Sequence, residues 1–292
     1  MESILEVKEL KKEYREFSLK SISLALPEGY IMGLIGPNGA GKTTTIKLIM
    51  NLIRADSGEV VVFGKPYRGN EKQIKNNIGY VGEEQYFYED RTVAWTGGFV
   101  SKFFTAWDRN AFSSLLNEFE LSSAKKVKEL SKGMRVKLSL AIALSHHPKL
   151  IILDEPTAGL DPVVRRDVLE ILRRVTTDDP SKSVVISSHI TDDIERIADA
   201  VTYLIDGEIA LSGEKDELLA NWKKIHFRAG ALPEQTAGSL LAIEENVFGS
   251  SGVTREFGSI RPDLEEGVRR DDIRIENMGL DDILITFVRG GI

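Results

Sequence analysis

The sequence predicts an α/β protein with a mixed-sheet core, an N-terminal antiparallel β subdomain, a helical subdomain over about 83–147 and a small α+β extension at its C-terminal end. Three observations carry that expectation. The compact apolar run Tyr30 to Ile35 leads into a glycine-rich turn, Gly36 to Gly41, and then into residues 43–51, where Ile46, Ile49 and Met50 recur at helical spacing. The β-branched runs Leu150 to Leu153 and Ser183 to Ser187 have the length of buried parallel strands and flank a helical segment from Pro162 to Val175. The stretch 83–147 between them reads mostly as helix.

The remaining elements follow in order. Ile4 to Val7 and Leu19 to Leu26 read as short strands bounded by polar residues, and a second pair of strands is expected at Glu59 to Phe63 and Ile78 to Val81. Asp161 followed by Pro162 is a sound helix start, a capping carboxylate before a residue with no N–H to satisfy. Val201 to Ile205 and Glu208 to Leu211 flank Asp206-Gly207, a dipeptide that favours a two-residue hairpin turn. The core is expected to span 1–220 and an accessory domain 221–292, the latter with strand-like alternation at Ile225 and Phe227, a helix around Ser239 to Val247 and a last helix near Asp281 to Val288.

Bulk composition sets the class. The 292 residues are 42% hydrophobic, enough for a core, and the formal net charge of -7 offers no basic field to gather a phosphodiester backbone. Nucleic acid is therefore not an expected partner. There is no cysteine, which excludes disulfides and thiolate chemistry and suits a reducing, cytoplasmic setting. No leader-like apolar core opens the chain, and no apolar run approaches the roughly 18–20 residues that span a bilayer. A role at a membrane would require docking on another chain.

The chemistry is concentrated in short motifs. Residues 36–44, GPNGAGKTT, satisfy G-x-x-x-x-G-K-[ST], the phosphate-binding loop of P-loop NTPases. Gly36, Gly39 and Gly41 are expected to let the backbone reach positive φ and approach phosphates, successive N–H groups and the helix N-terminus form an anion nest, and Pro37, Asn38, Ala40 and Thr44 are expected among the nucleotide-binding residues. Lys42 suits the β- and γ-phosphates, and the Thr43 hydroxyl suits magnesium. LIILDEP at 150–156 ends a buried strand in adjacent carboxylates: Asp154 can hold magnesium through water, and Glu155 can polarise a water for in-line attack. Ser131 in LSKGM caps a helix running to about His146, and Gly133 in its first turn would let N–H groups face an anion. His146 and His147 read as cations at a helix C-terminus, His226 as a surface residue and Trp107 in FFTAWD as an aromatic packed between helices, with no zinc-like spacing among the four histidines.

Together these motifs resemble the ATP-binding-cassette ATPases over roughly the first 220 residues. The resemblance implies that LSKGM (Ser131, Lys132, Gly133, Met134) is the family signature, usually written LSGGQ, which contacts the ATP of a partner subunit. It implies that Asp161 in AGLD communicates between paired subunits, that His189 in ISSHI is the switch histidine, and that Tyr14 stacks on adenine. It implies ATP as substrate with Mg2+, a second cassette as homodimer or heterodimer partner, and membrane permease subunits on the inner face of the cell membrane. The catalytic set is then Glu155, His189 and Lys42, and the metal set Thr43, Asp154 and Glu83. This chain departs from the family at Lys132 and Met134, and at IGYVGEEQ, where Glu83 stands at the position of the family glutamine with Gln85 two residues on. The pattern is closest to exporter-type members, as are FFTAWD and the ending DDILITFVRG. Two alternatives stay open: an ATP-binding regulatory subunit with weak turnover, and a cassette ATPase with no transport role.

Overall fold

A computed structural model describes residues 2–228, 230–246 and 249–290. They form two compact units divided between Ser212 and Gly213. The first opens with β1 (Ser3–Glu13), β2 (Ser18–Pro27) and β3 (Ile31–Ile35), then α1 (Lys42–Ile49), β4 (Ser57–Val62), β5 (Lys65–Pro66), α2 (Glu71–Lys75) and β6 (Ile78–Val81). Helices α3 (Val93–Val100), α4 (Arg109–Glu118) and α5 (Lys132–Leu144) follow. The unit continues with β7 (Leu150–Asp154), α6 (Pro162–Asp178), β8 (Ser183–Ser188), α7 (Thr191–Ile197), β9 (Ala200–Ile205) and β10 (Glu208–Glu214), whose last two residues fall past the division.

Two sheets organise this unit. An antiparallel sheet runs β2-β1-β4-β5, and a six-stranded sheet runs β10-β9-β3-β8-β7-β6, parallel from β9 through β6. The expected strand pair at 59–63 and 78–81 is thus split, β4 pairing with β1 and β6 with β7. Strands β3, β7 and β8 are buried at every residue, which explains their unbroken apolar character. Side chains from β1 and β2, among them Leu5, Leu10 and Leu26, pack with Leu34, Ile46 and Ile152 into one core. At Asp206-Gly207 both residues take positive φ (47° and 78°), the geometry of a two-residue hairpin turn.

Helix α5 is anchored at both ends. Ser131 accepts the Met134 N–H at 3.3 Å at its start. Just past its end His146 is 2% exposed, stacked 3.9 Å from the Phe104 ring, with Nε2 donating to the Ile78 carbonyl at 3.0 Å. His146 is therefore not a solvated helix-end cation; burial pushes its pKa down, so the ring packs as a neutral plug between α5 and β6. His147 does remain outside, 3.2 Å from Asp108. Asp108 caps α4, and Trp107 packs on Phe112 with centroids 5.4 Å apart.

The second unit comprises α8 (Lys215–Asn221), β11 (Lys223–Phe227), α9 (Glu234–Ser239), β12 (Leu241–Asn246), β13 (Gly249–Thr254), α10 (Phe257–Arg269), β14 (Ile273–Asn277) and α11 (Leu280–Gly290). Its antiparallel sheet, β12-β13-β11-β14, packs Ile225 and Ile273 against Ile260 and Leu264 of α10. The division falls earlier than residue 220 because α8 packs on α10, where Asn221 accepts the Gly258 N–H. The helix expected over residues 239–247 is instead the end of α9 followed by strand β12, and Val247 lies outside the described residues. The reason is a bulge: Ala242 adopts φ 47° and the register shifts between Leu241 and Glu244, which breaks the alternation and leaves helix-like spacing in the sequence.

Candidate functional site

The carboxyl ends of β3, β7 and β8 bring the motif residues together. A cavity of about 480 Å³ is lined by Asn38, Gly39, Gly41, Lys42, Thr43 and Thr44 of the loop, by Glu83, Glu155, Ala158 and His189, and by Phe17. The loop's backbone explains its glycines differently from one another. Gly39 and Gly41 take φ +85° and +109°, as a nest requires, and a Cβ on Gly41 would meet the Phe17 ring at 2.7 Å. Gly36 has no positive φ; it is glycine because a Cβ there would lie 2.1 Å from the Leu204 carbonyl of β9. Pro37 and Gly36 do not line the cavity but give their carbonyls to Lys42, and Ala40 is buried behind them. No side chain caps α1, so its first-turn N–H groups lack a side-chain acceptor.

The two carboxylates sit in a network built by neighbouring strands. Parallel register sets Asp154 beside Ser187. The Ser187 hydroxyl donates to Asp154 Oδ1 at 2.7 Å and accepts the Glu155 N–H at 3.0 Å, and Thr43 Oγ1 donates to the same Oδ1 at 3.2 Å. Glu155 adopts φ 48°, a left-handed conformation that costs a non-glycine residue roughly 1–3 kcal/mol and persists only where surrounding bonds over-determine it. That turn directs its carboxylate to two partners: His189 Nδ1 donates to Oε2 at 2.8 Å, and Lys42 Nζ lies 3.0 Å from Oε1. The lysine contact is ionic only. Oε1 is buried, with that ammonium as its neighbour among the described residues. Tyr80, on the strand beside Asp154, has its phenol pKa raised by burial and by the Asp154 charge.

These residues fit a hard divalent cation carried in on a polyphosphate. Among the described residues no three His, Asp or Glu side chains are grouped to hold an ion, so protein ligands alone do not make a site. Thr43 Oγ1 and Asp154 Oδ1 are two adjacent oxygens at the loop, a sparse donor set that suits magnesium completing its shell with phosphate and water.

Other motif residues lie elsewhere. None of Ser131, Lys132, Gly133 or Met134 lines the cavity. Gly133 is buried where α5 meets α6, and a Cβ on it would meet Val164 Cγ1 at 2.7 Å, so helix packing demands the glycine. Asp161 caps α6, accepting the Val163 and Val164 N–H groups at 3.1 Å. Tyr14 is 47% exposed in the β1–β2 turn and does not line the cavity; Phe17, its neighbour at 6.5 Å between centroids, does. Glu83 lines the cavity, whereas the Gln85 amide folds back onto the carbonyls of Gly82 and Glu83 at 3.0 and 3.1 Å. Phe17 and Ser187 are the participants the sequence did not single out.

A family model described as ABC transporter matches residues 19–158. The ABC transporter ATP-binding protein YtrB of Bacillus subtilis (strain 168) is 35% identical over 209 residues, 72% of this chain and 71% of the relative. The bacitracin transport ATP-binding protein BcrA of Bacillus licheniformis is 29% identical, covering 100% of this chain and 99% of its own length. Among solved structures, cbiO1 from Clostridium perfringens, part of the ABC transporter complex cbiONQ, superposes with a TM-score of 0.65 at 25% identity, over 75% of this chain and 92% of that one. The chain belongs to the ATP-binding subunits of ABC transporters, and its fold is the cassette that such subunits share.

The packing at Gly133 yields a direct test. Gly133→Ala should destabilise the chain by about 1–3 kcal/mol through overpacking against Val164, measured by urea unfolding, and the double variant with Val164→Ala should recover most of that loss.

Proposed function

We propose that the chain binds ATP in the cavity between the phosphate loop and Glu155, pairs head-to-tail with a second copy, and hydrolyses ATP to drive a separate membrane permease, in the direction of export. The observation that carries this reading is the division of the motifs. The phosphate loop, Asp154, Glu155 and His189 share one cavity, while Ser131 to Met134 lie off it on α5. A nucleotide in that cavity meets only half of the motif set, and a second copy turned about would supply the rest. Among the described residues no helix is long and apolar enough to cross a membrane, and the transport path is assigned to a separate permease. BcrA, alike over its whole length, is a transport protein by name, which supports transport for this one. The cytoplasmic face of a membrane follows as the working location.

Lys42 exchanges the carbonyls of Gly36 and Pro37 for phosphate oxygens, and Gly39, Gly41 and the N-terminus of α1 hold the rest of the anion. Thr43 and Asp154 would hold magnesium, which neutralises phosphate charge when bound. Glu155, freed at Oε1 as Lys42 turns to phosphate, takes the proton of the attacking water, and His189, oriented by Oε2, steadies the γ-phosphate. Phe17 stacks on the base with Tyr14 flanking it, and Asp161 carries the signal between copies beside its helix-capping role.

The permease contact is assigned to an aromatic cluster on the helical subdomain. Trp95 and Phe99 stack at 5.2 Å, Tyr88 meets both edge-on, and Phe103 extends the row. Tyr88 and Phe103 are 59% and 63% exposed, an apolar patch of the kind that marks a partner surface. The presence of Glu83, a carboxylate facing the nucleotide, favours a second reading in which turnover is weak and the subunit mainly regulates; phosphate release by the purified chain separates the two.

Three outcomes are expected. Glu155→Gln should cut phosphate release by roughly 10²- to 10⁴-fold, the range of a lost general base, and accumulate a magnesium-ATP dimer in gel filtration; a monomer at saturating nucleotide refutes pairing. Phe17→Ala should raise the KM for ATP by about tenfold, since a base-stacking aromatic contributes about 1–3 kcal/mol, with Tyr14→Ala having a smaller effect. Trp95→Ala with Phe103→Ala should leave hydrolysis by the isolated chain unchanged and abolish co-purification with a co-expressed permease.

A further inference from the structure

The nucleotide cavity is electrostatically lopsided. Glu83 and Glu155 line it and Asp154 stands behind Thr43, against the single lysine Lys42, which already lies 3.0 Å from Glu155. Glu83 is engaged through its backbone alone, its carbonyl accepting from the Gln85 amide at 3.1 Å; among the described residues its carboxylate has no ion pair or hydrogen bond. An arriving triphosphate, even with one magnesium ion bound, still adds net negative charge to the same wall. Glu83 is exposed, so solvent and salt screen its repulsion in part, and a cation brought beside it would offset the rest.

The matching surplus lies on α5. Lys132, its first residue, is exposed and has no acidic partner among the described residues. Its ammonium is laid over the next turn of chain: a Cβ built on Gly159 would meet Lys132 Nζ at 2.9 Å, and Gly159 directly follows Ala158 of the cavity wall. The backbone beneath it is held firmly, because Ser131 caps the helix and Gly133 is seated against Val164. An exposed cation and an exposed carboxylate, neither ion-paired among the described residues, thus occupy the two motif segments that the proposed pairing brings to one nucleotide.

We propose that Lys132 of one copy supplies, to the cavity of the other, the positive charge that Glu83 takes away. The lysine in LSKGM and the carboxylate at 83 are then a compensating pair across the interface. This rests on the paired-site reading above. Lysine suits the role because it acts as a point charge without the fixed planar geometry of arginine, and the effect weakens as salt screens it.

The test is a double-mutant cycle on the Glu155→Gln background, reading magnesium-ATP-driven dimerisation by sedimentation velocity at low salt. Lys132→Gln should raise the ATP concentration for half-maximal dimer about tenfold, Glu83→Gln should lower it, and with Gln at 83 the Lys132→Gln effect should shrink to about twofold. Lys132→Arg, which keeps the charge and reports on folding, should stay within about twofold of the parent. An equal shift in both Glu83 backgrounds, or none, overturns the compensation while leaving pairing intact. A parent that stays monomeric overturns the paired-site reading and the compensation with it, and it shows before any Lys132 variant is made.

Discussion

The site hangs on one arrangement: parallel strands β7 and β8 in a register that sets Asp154 beside Ser187. One hydroxyl then serves two masters, donating to the Asp154 carboxylate and accepting the N–H of the next residue. Those bonds hold Glu155 in a left-handed turn that an isolated chain would avoid, and that turn delivers its carboxylate to Lys42 and His189. Without the strand pairing, the adjacent carboxylates would be two acidic residues at the end of a strand. With it, two chain segments separated by more than a hundred residues, Lys42 and Glu155, come within 3.0 Å.

The same economy extends to the loop. Its three glycines answer different needs: two for backbone conformation and Gly36 for the closeness of the Leu204 carbonyl. The buried ion pair between Lys42 and Glu155 keeps both charges compensated inside the cassette, where a lone buried charge would be costly. The Lys42 ammonium is engaged by Glu155 and by the carbonyls of Gly36 and Pro37 together.

Much of this was legible in the sequence where chemistry forces consecutive residue types. The loop, the Asp-Glu strand end and the Asp206-Gly207 turn each read directly, because each is a local solution with few alternatives. What stayed hidden depends on distant partners. Ser187 looked like strand interior and becomes a hub only beside β7. Phe17 is one aromatic among several until Gly41 is packed under it. His146 looked solvated because its acceptor, the Ile78 carbonyl, comes from a strand 68 residues earlier. Gly133 is explained by Val164 of another helix, and β12 was masked by a bulge at Ala242 that no periodicity encodes.

The plug formed by His146 at one end and the seat of Gly133 against Val164 at the other pin α5 at both of its ends. At one end the ring is clamped between Phe104 and the start of β6, the strand that leads to Glu83. The other, capped by Ser131 and seated on α6 at Val164, is the far end of a rod roughly 20 Å long. A rod held at both ends cannot swing on one of them, so a displacement at either end is passed to the other.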